Sequence, residues 1–143
     1  MGRLRIDGLP VPPSANAMYR MYRNRIYPTA KYKEWLEITV PLIVQEFQSR
    51  GIRTPLMGRA QIHAIIYGGK GFRESGDAGN LEKASTDALK PSHIDSAGRV
   101  QRLGAAVIFD DNVQYVNDNR QSYVDRRDKK SHCSMSLIIR WAE

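Results

Sequence analysis

The chain has 143 residues, enough for one domain with one core, and its 41% hydrophobic and 26% charged content is ordinary for a folded protein. The formal net charge of +7 favours polyanionic partners, because releasing phosphate counterions drives association; the plain alternative is a basic protein with no nucleic-acid role. The single Cys133 excludes an internal disulfide and a cysteine-cluster zinc site, Met1–Pro10 has no apolar run of signal-peptide length, and no stretch approaches the ~20 apolar residues of a membrane span, so a cytoplasmic protein with no membrane partner is expected.

Leu4 and Ile6 alternate with Arg3, Arg5 and Asp7, which predicts a strand over Arg3–Leu9 that Pro10, Pro12 and Pro13 stop, with Ser14–Asn16 continuing as a turn or loop. Tyr19–Lys33 carries Arg20, Arg23, Arg25, Lys31 and Lys33 with no acidic residue, interleaved with Tyr19, Tyr22, Tyr27 and Tyr32. Such a stretch can hold phosphates and stack bases, or it can be a solvated loop whose tyrosines dock on the core. Thr29 is placed to cap a helix reaching about Ser49, with Trp35, Leu36, Ile38, Val40, Leu42, Ile43 and Phe47 as a broad apolar face. Pro41 inside it predicts a kink or a break.

Arg59–Tyr67 reads as a second strand with Ala60, Ile62, Ala64 and Ile66 on one face, and Gly68–Gly76 as a glycine-rich loop. Asn80–Leu89 predicts a short helix, with Leu81, Ala84 and Ala88 on one side. Pro91–Ala105 has no clear period and reads as an exposed insertion. Val107–Phe109 reads as a short strand, Val113–Tyr123 as another, Asp125–Lys130 as a charged hairpin turn, and Ser134–Trp141 as a strand with one buried face. The order predicts a single α+β domain over residues 1–143, with a mixed or antiparallel sheet of about four to five strands covered by two main helices.

Three carboxylates stand where chemistry could use them. Asp77 precedes the second helix, and Asp110 and Asp111 follow a short apolar run. Mg²⁺ takes hard oxygen ligands, usually one or two carboxylates plus waters and substrate phosphate, and in nuclease sites it activates water or stabilises a leaving oxygen. The bland alternative is that Asp77 caps a helix and Asp110-Asp111 opens a turn. Lys83, one turn from Asn80, is the candidate stabiliser of charge on a pentavalent phosphate; its alternative is a solvated lysine paired with Asp87. His63 reads as a packed strand residue, while His93 and His132 lack metal-ligand spacing. Gly68-Gly69-Lys70-Gly71 lacks the Lys-Ser/Thr ending of a nucleotide-phosphate loop. Arg126, Arg127, Lys129 and Lys130 form a second basic cluster that Asp125 and Asp128 partly neutralise.

Leu9-Pro-Val-Pro-Pro-Ser-Ala-Asn16 resembles the Leu-Pro-x-Pro-Pro-Ser-x-Asn signature of RusA-type Holliday junction resolvases. Asp77-x-x-Asn80-Leu81-x-Lys83-Ala84 with Asp87-Ala88-Leu89 resembles that family's central motif, and Asp110-Asp111 its aspartate pair. The order of the three blocks agrees, over most of the chain. The resemblance implies a Mg²⁺-dependent homodimer that makes paired nicks in four-way DNA junctions during recombination and repair. By position, Asp77 and Asp111 look like metal-binding catalytic carboxylates, Asp110 like their neighbour and a further ligand, Lys83 like the catalytic lysine, and Asn80 like the motif asparagine that supports the site on DNA. Arg20, Arg23, Arg25, Lys31 and Lys33 would track the DNA backbone.

One motif position departs from that family: Gly79 stands where a second aspartate is expected. Glu74, Glu82 or Asp110 could supply the missing oxygen. Otherwise the chain is a catalytically impaired copy that binds junctions without cutting them. An RNA-binding module built on the tyrosine-rich basic segment is the third reading.

Overall fold

The structure is a computed structural model that describes residues 2–14, 17–67, 79–90, 93–94, 100–101, 104–108, 121–125 and 133–142. Its elements in chain order are β1 (Gly2–Leu9), β2 (Tyr19–Tyr22), β3 (Arg25–Pro28), α1 (Ala30–Ser49), β4 (Ala60–Tyr67), α2 (Gly79–Leu89), β5 (His93–Ile94), β6 (Val100–Gln101), β7 (Gln121–Asp125) and β8 (Ser134–Trp141). The class is α+β, as the patterning predicts, with two α-helices among the described residues.

The main sheet has the order β1-β8-β4-β7. β8 runs antiparallel to both β1 and β4, whereas β7 runs parallel to β4. Parallel neighbours need a crossover, and the chain between β4 and β7 contains α2. β7 and β8 follow one another in sequence, yet β4 lies between them. Asp125 and Ser134 both pair with Tyr67, from opposite sides of β4, and residues 126–130 of the predicted hairpin turn lie outside the described residues.

Strict alternation builds the core. Ala60, Ile62, Ala64 and Ile66 of β4 and Met135, Leu137 and Ile139 of β8 are all buried on one face, with Leu4, Ile6 and Leu9 of β1 beside them. Each fully buried aliphatic side chain of this size contributes about 1.5–3 kcal/mol. Ile6 pairs with Leu137 but Leu9 with Met135, so β1 carries one extra residue, accommodated at Gly8 with φ +73°. This bulge turns Leu9 back into the core. β8 differs from expectation on its other face, where Ser136 and Ile138 are buried too, as is Ile65 of β4.

α1 starts where its capping residue predicts. The Thr29 hydroxyl accepts the Tyr32 amide at 3.2 Å and donates to the Ala17 carbonyl at 2.7 Å. The helix runs unbroken through the exposed Pro41. Proline removes one amide donor, but Glu37, whose carbonyl loses it, is also exposed, so water can take its place. The buried face is Tyr32, Trp35, Leu36, Thr39, Ile43 and Phe47. Ile38 and Leu42, counted in the predicted apolar face, are 49% and 39% exposed. The apolar stripe is wider than the contact with the sheet, and Thr39 lies nearer its centre than they do.

The predicted strand at Val107–Phe109 is not one over its described residues. Val107 and Ile108 are buried, and both donate to the carbonyl of Leu89 at the end of α2, at 2.9 and 3.1 Å; Phe109 lies outside the described residues. Of the predicted strand Val113–Tyr123, residues 113–120 lie outside them as well, and β7 continues to Asp125. Within the predicted insertion, β5 and β6 pair antiparallel, and its last residue, Ala105, is buried and donates to the Ala88 carbonyl at 2.8 Å. No helix among the described residues is long and apolar enough to cross a membrane.

Candidate metal centre and nucleic-acid interface

The sheet order sets the exit of β1 beside the carboxyl end of β4. Leu9 pairs with Met135, and Met135 with Ile66, so the exit from β1 lies level with the carboxyl end of β4. The Pro10 carbonyl there accepts the indole Nε1–H of Trp35 at 2.9 Å, and Pro12 and Pro13 are buried. The proline-rich block thus docks the first turns of α1 on the end of the sheet. β4 ends there at Tyr67, and the predicted glycine-rich loop Gly68–Gly76 lies outside the described residues.

α2 returns from there. Midway along it, Ser85 donates to the Met135 sulfur at 3.2 Å. Its last residue, Leu89, is tied to Val107, and Val107 accepts the amide of Leu56, four residues before β4 begins. The helix therefore points its amino end toward the Tyr67 end of β4. Gly79 is its first residue, and Asn80 and Lys83 follow at three-residue spacing. Asp77, Asp110 and Asp111 lie outside the described residues. Among the described residues no group of three or more His, Cys, Asp or Glu side chains could hold a metal ion.

Asp87, in the central sequence block, has a different setting. It is buried, and its carboxylate meets Lys90 Nζ at 3.4 Å. Tyr19 and Tyr32 stand next to it with ring centroids 5.6 Å apart. Burial pushes both phenols above their ordinary range, with the nearby Asp87 charge adding to it. This cluster fastens the end of α2 to the start of α1, so Asp87 acts in packing.

The basic tyrosine-rich stretch is a structured hairpin, which its spacing did not foretell. β2 and β3 pair as Tyr19↔Pro28, Arg20↔Tyr27, Met21↔Ile26 and Tyr22↔Arg25. Arg23 and Asn24 at the turn have φ of 49° and 60°, the two left-handed residues of a type I′ turn. An Asn-Gly pair would have announced it; Arg-Asn does not. Alternation puts Arg20, Tyr22, Arg25 and Tyr27 on one face and Tyr19, Met21, Ile26 and Pro28 on the other. The Arg23 guanidinium lies 5.3 Å from the centroid of the Tyr22 ring. Arg20, Arg23, Arg25, Lys31 and Lys33 are all exposed, and none is ion-paired among the described residues.

The face of the main sheet away from the helices carries Arg3, Arg5, Asp7, Gln61, His63, Tyr67 and Arg140. Arg5 pairs with Asp7 at 2.9 Å and donates to the Tyr67 hydroxyl at 3.1 Å, and the Ser136 hydroxyl donates to Asp7. The Ser136 and Arg5 hydrogen bonds hold the Asp7 carboxyl below the usual carboxylate range. Burial, with the Arg140 charge nearby, holds the His63 imidazole below its ordinary value.

No family model matches the chain, and no curated protein matches it.

Proposed function

We propose that the protein is a Mg²⁺-dependent endonuclease acting on four-way DNA junctions as a homodimer. The observation that carries this reading is the stitching of Val107 and Ile108 to the end of α2. α2 has 11 residues, about 16 Å of helix. Asp77 stands two residues before it, and Asp111 three residues after Ile108. Extended chain advances at most about 3.5 Å per residue, so the two short segments together span about 17 Å. That is enough for the two carboxylates to meet beside α2, and too little for them to meet far from it.

In this reading Asp77 and Asp111 hold the ion, with Asp110 as a further oxygen donor. All three are hard oxygen ligands, the kind Mg²⁺ prefers. When bound, the ion supplies the positive charge that lowers the pKa of a water and steadies the leaving oxygen. Lys83 neutralises charge accumulating on the phosphorus oxygens, and the amino end of α2 adds its dipole. Asn80 positions the DNA. The carboxyl end of a parallel strand pair, where the β4–α2 connection leaves, is where α/β units place ligands. A symmetric dimer offers two such sites to the two equivalent strands of a junction.

Gly79 supports a second reading, a junction-binding protein with an impaired metal site, because glycine offers no oxygen where the resembling family has aspartate. An aspartate in the first turn of a helix is well tolerated, so Gly79→Asp keeps α2 intact. The test is a labelled four-way junction in Mg²⁺ with the unaltered protein and with Gly79→Asp. Paired nicks by both establish the enzyme. Cutting by Gly79→Asp alone establishes the impaired copy, and an uncut junction with both removes the nuclease reading.

A further inference from the structure

The hairpin's two faces say what kind of nucleic acid it meets. On one face, arginine and tyrosine alternate in both directions: Arg20 faces Tyr27 and Tyr22 faces Arg25. The two tyrosines are therefore diagonal neighbours, about 7–8 Å apart in such a ribbon. A base held between two rings needs about 7 Å, twice the ~3.4 Å rise of stacked DNA. Tyr22 is 59% and Tyr27 38% exposed, so both rings are open to a partner. In a duplex the base faces are covered by neighbouring pairs, and only their edges are offered. Tyrosine rings have no use for an edge; they stack on a face, and only unpaired nucleotides present one.

We infer that the β2–β3 hairpin is an arm for unpaired DNA, in which Tyr22 and Tyr27 clasp a base while Arg20 and Arg25 neutralise the phosphates on either side. The inference rests on the nucleic-acid part of the function proposed above and not on its metal chemistry. At a four-way junction the unpaired nucleotides are those opened at the crossover. The arm engages them there, and the duplex arms are held elsewhere. Arg23, against the Tyr22 ring, helps to fix its orientation.

The experiment measures binding of the full chain, in EDTA, to an oligothymidylate containing one 2-aminopurine, beside a blunt duplex of equal length. The unaltered protein should quench the probe. Tyr22→Leu and Tyr27→Leu should each weaken single-strand binding about 5- to 150-fold, the range of one lost base–ring stack, with less than about a 2-fold change on the duplex. Tyr22→Trp should retain quenching, which separates lost stacking from a damaged hairpin. Arg20→Gln should weaken both substrates and lower the salt slope by about one. Unchanged quenching in the leucine variants, equal losses on both substrates, or tighter binding of oligouridylate would each overturn the inference. Because no metal is present, failure here leaves junction cutting untouched, and failure of cutting leaves this result standing.

Discussion

The carbonyl of Leu89 accepts the amide of Ile108 at 3.1 Å, closing the end of α2 with the segment that leads to Asp110 and Asp111. The same carbonyl takes Val107, and Ala105 donates to Ala88. Gly104 makes this approach possible: a Cβ there would run into the Lys90 carbonyl. Gly104→Ala should therefore destabilise the fold by about 1–3 kcal/mol, since backbone atoms cannot step aside as a side chain can. Urea unfolding measures it. If the acidic residues act together, activity should fall further than the loss of folded protein explains.

Thr29 closes two segments with one hydroxyl. Thr29→Val keeps the shape and removes both hydrogen bonds, so it should cost about 1–2 kcal/mol, whereas Thr29→Ser should be close to neutral. Thermal melting would show this as a drop of several degrees for valine and little change for serine. Because the cap also positions the hairpin against α1, the valine variant should bind single-stranded DNA more weakly.

Lys90 and Asp87 form an ion pair in which the carboxylate is the more deeply buried partner. Removing the cation weakens the compensation of a buried carboxylate, so Lys90→Ala should destabilise by about 1–3 kcal/mol. Lys90→Met with Asp87→Asn should recover part of that loss, because the buried charge is removed and the volume at residue 90 is kept. The double-mutant cycle in chemical denaturation gives the coupling directly.

His63 sets a pH dependence whose sign follows from its surroundings. Its imidazole titrates below the ordinary value of 6.5 in the folded chain, because burial and Arg140 both disfavour its charged form. The unfolded chain therefore takes up the proton first. The contribution is present in full above about pH 6.5 and is lost as the pH falls through the depressed folded value. His63→Gln should flatten the stability curve between pH 7 and 5 relative to the parent. A parallel decline in both proteins would place the titration elsewhere.

Much of the scaffold was legible in the sequence because it rests on local rules. β4 and β8 alternate with period two, and Thr29 has the chemistry of a cap; Ala84 and Ala88 are buried in α2, but so are Ser85, Thr86 and Asp87 between them, so the helix has no single packed side there. What escaped depended on distant partners. Val107 and Ile108 are apolar enough for a strand, but their amides close a helix end. β7 and β8 look like a hairpin until β4 is found between them. Ile38 and Leu42 fit the helical stripe, yet both lie outside the buried face of α1. The β2–β3 hairpin was hidden because its turn has neither glycine nor proline, although Asn24 accepts a left-handed backbone readily. The candidate cations of residues 20–33 were legible as exposed basic residues; the placing of Arg20 and Arg25 on one face with Tyr22 and Tyr27 required the register.

The proposed metal site is tested most directly by crystals soaked in Mn²⁺, with anomalous scattering used to locate the ion. The expected result is one peak with carboxylate oxygens of both Asp77 and Asp111 at about 2.1 Å, beside the amino-terminal turn of α2. It should vanish in Asp77→Asn and in Asp111→Asn. Carboxyl groups of residues 77 and 111 turned apart, with no peak between them in the parent or in Gly79→Asp, would contradict the proposed chemistry.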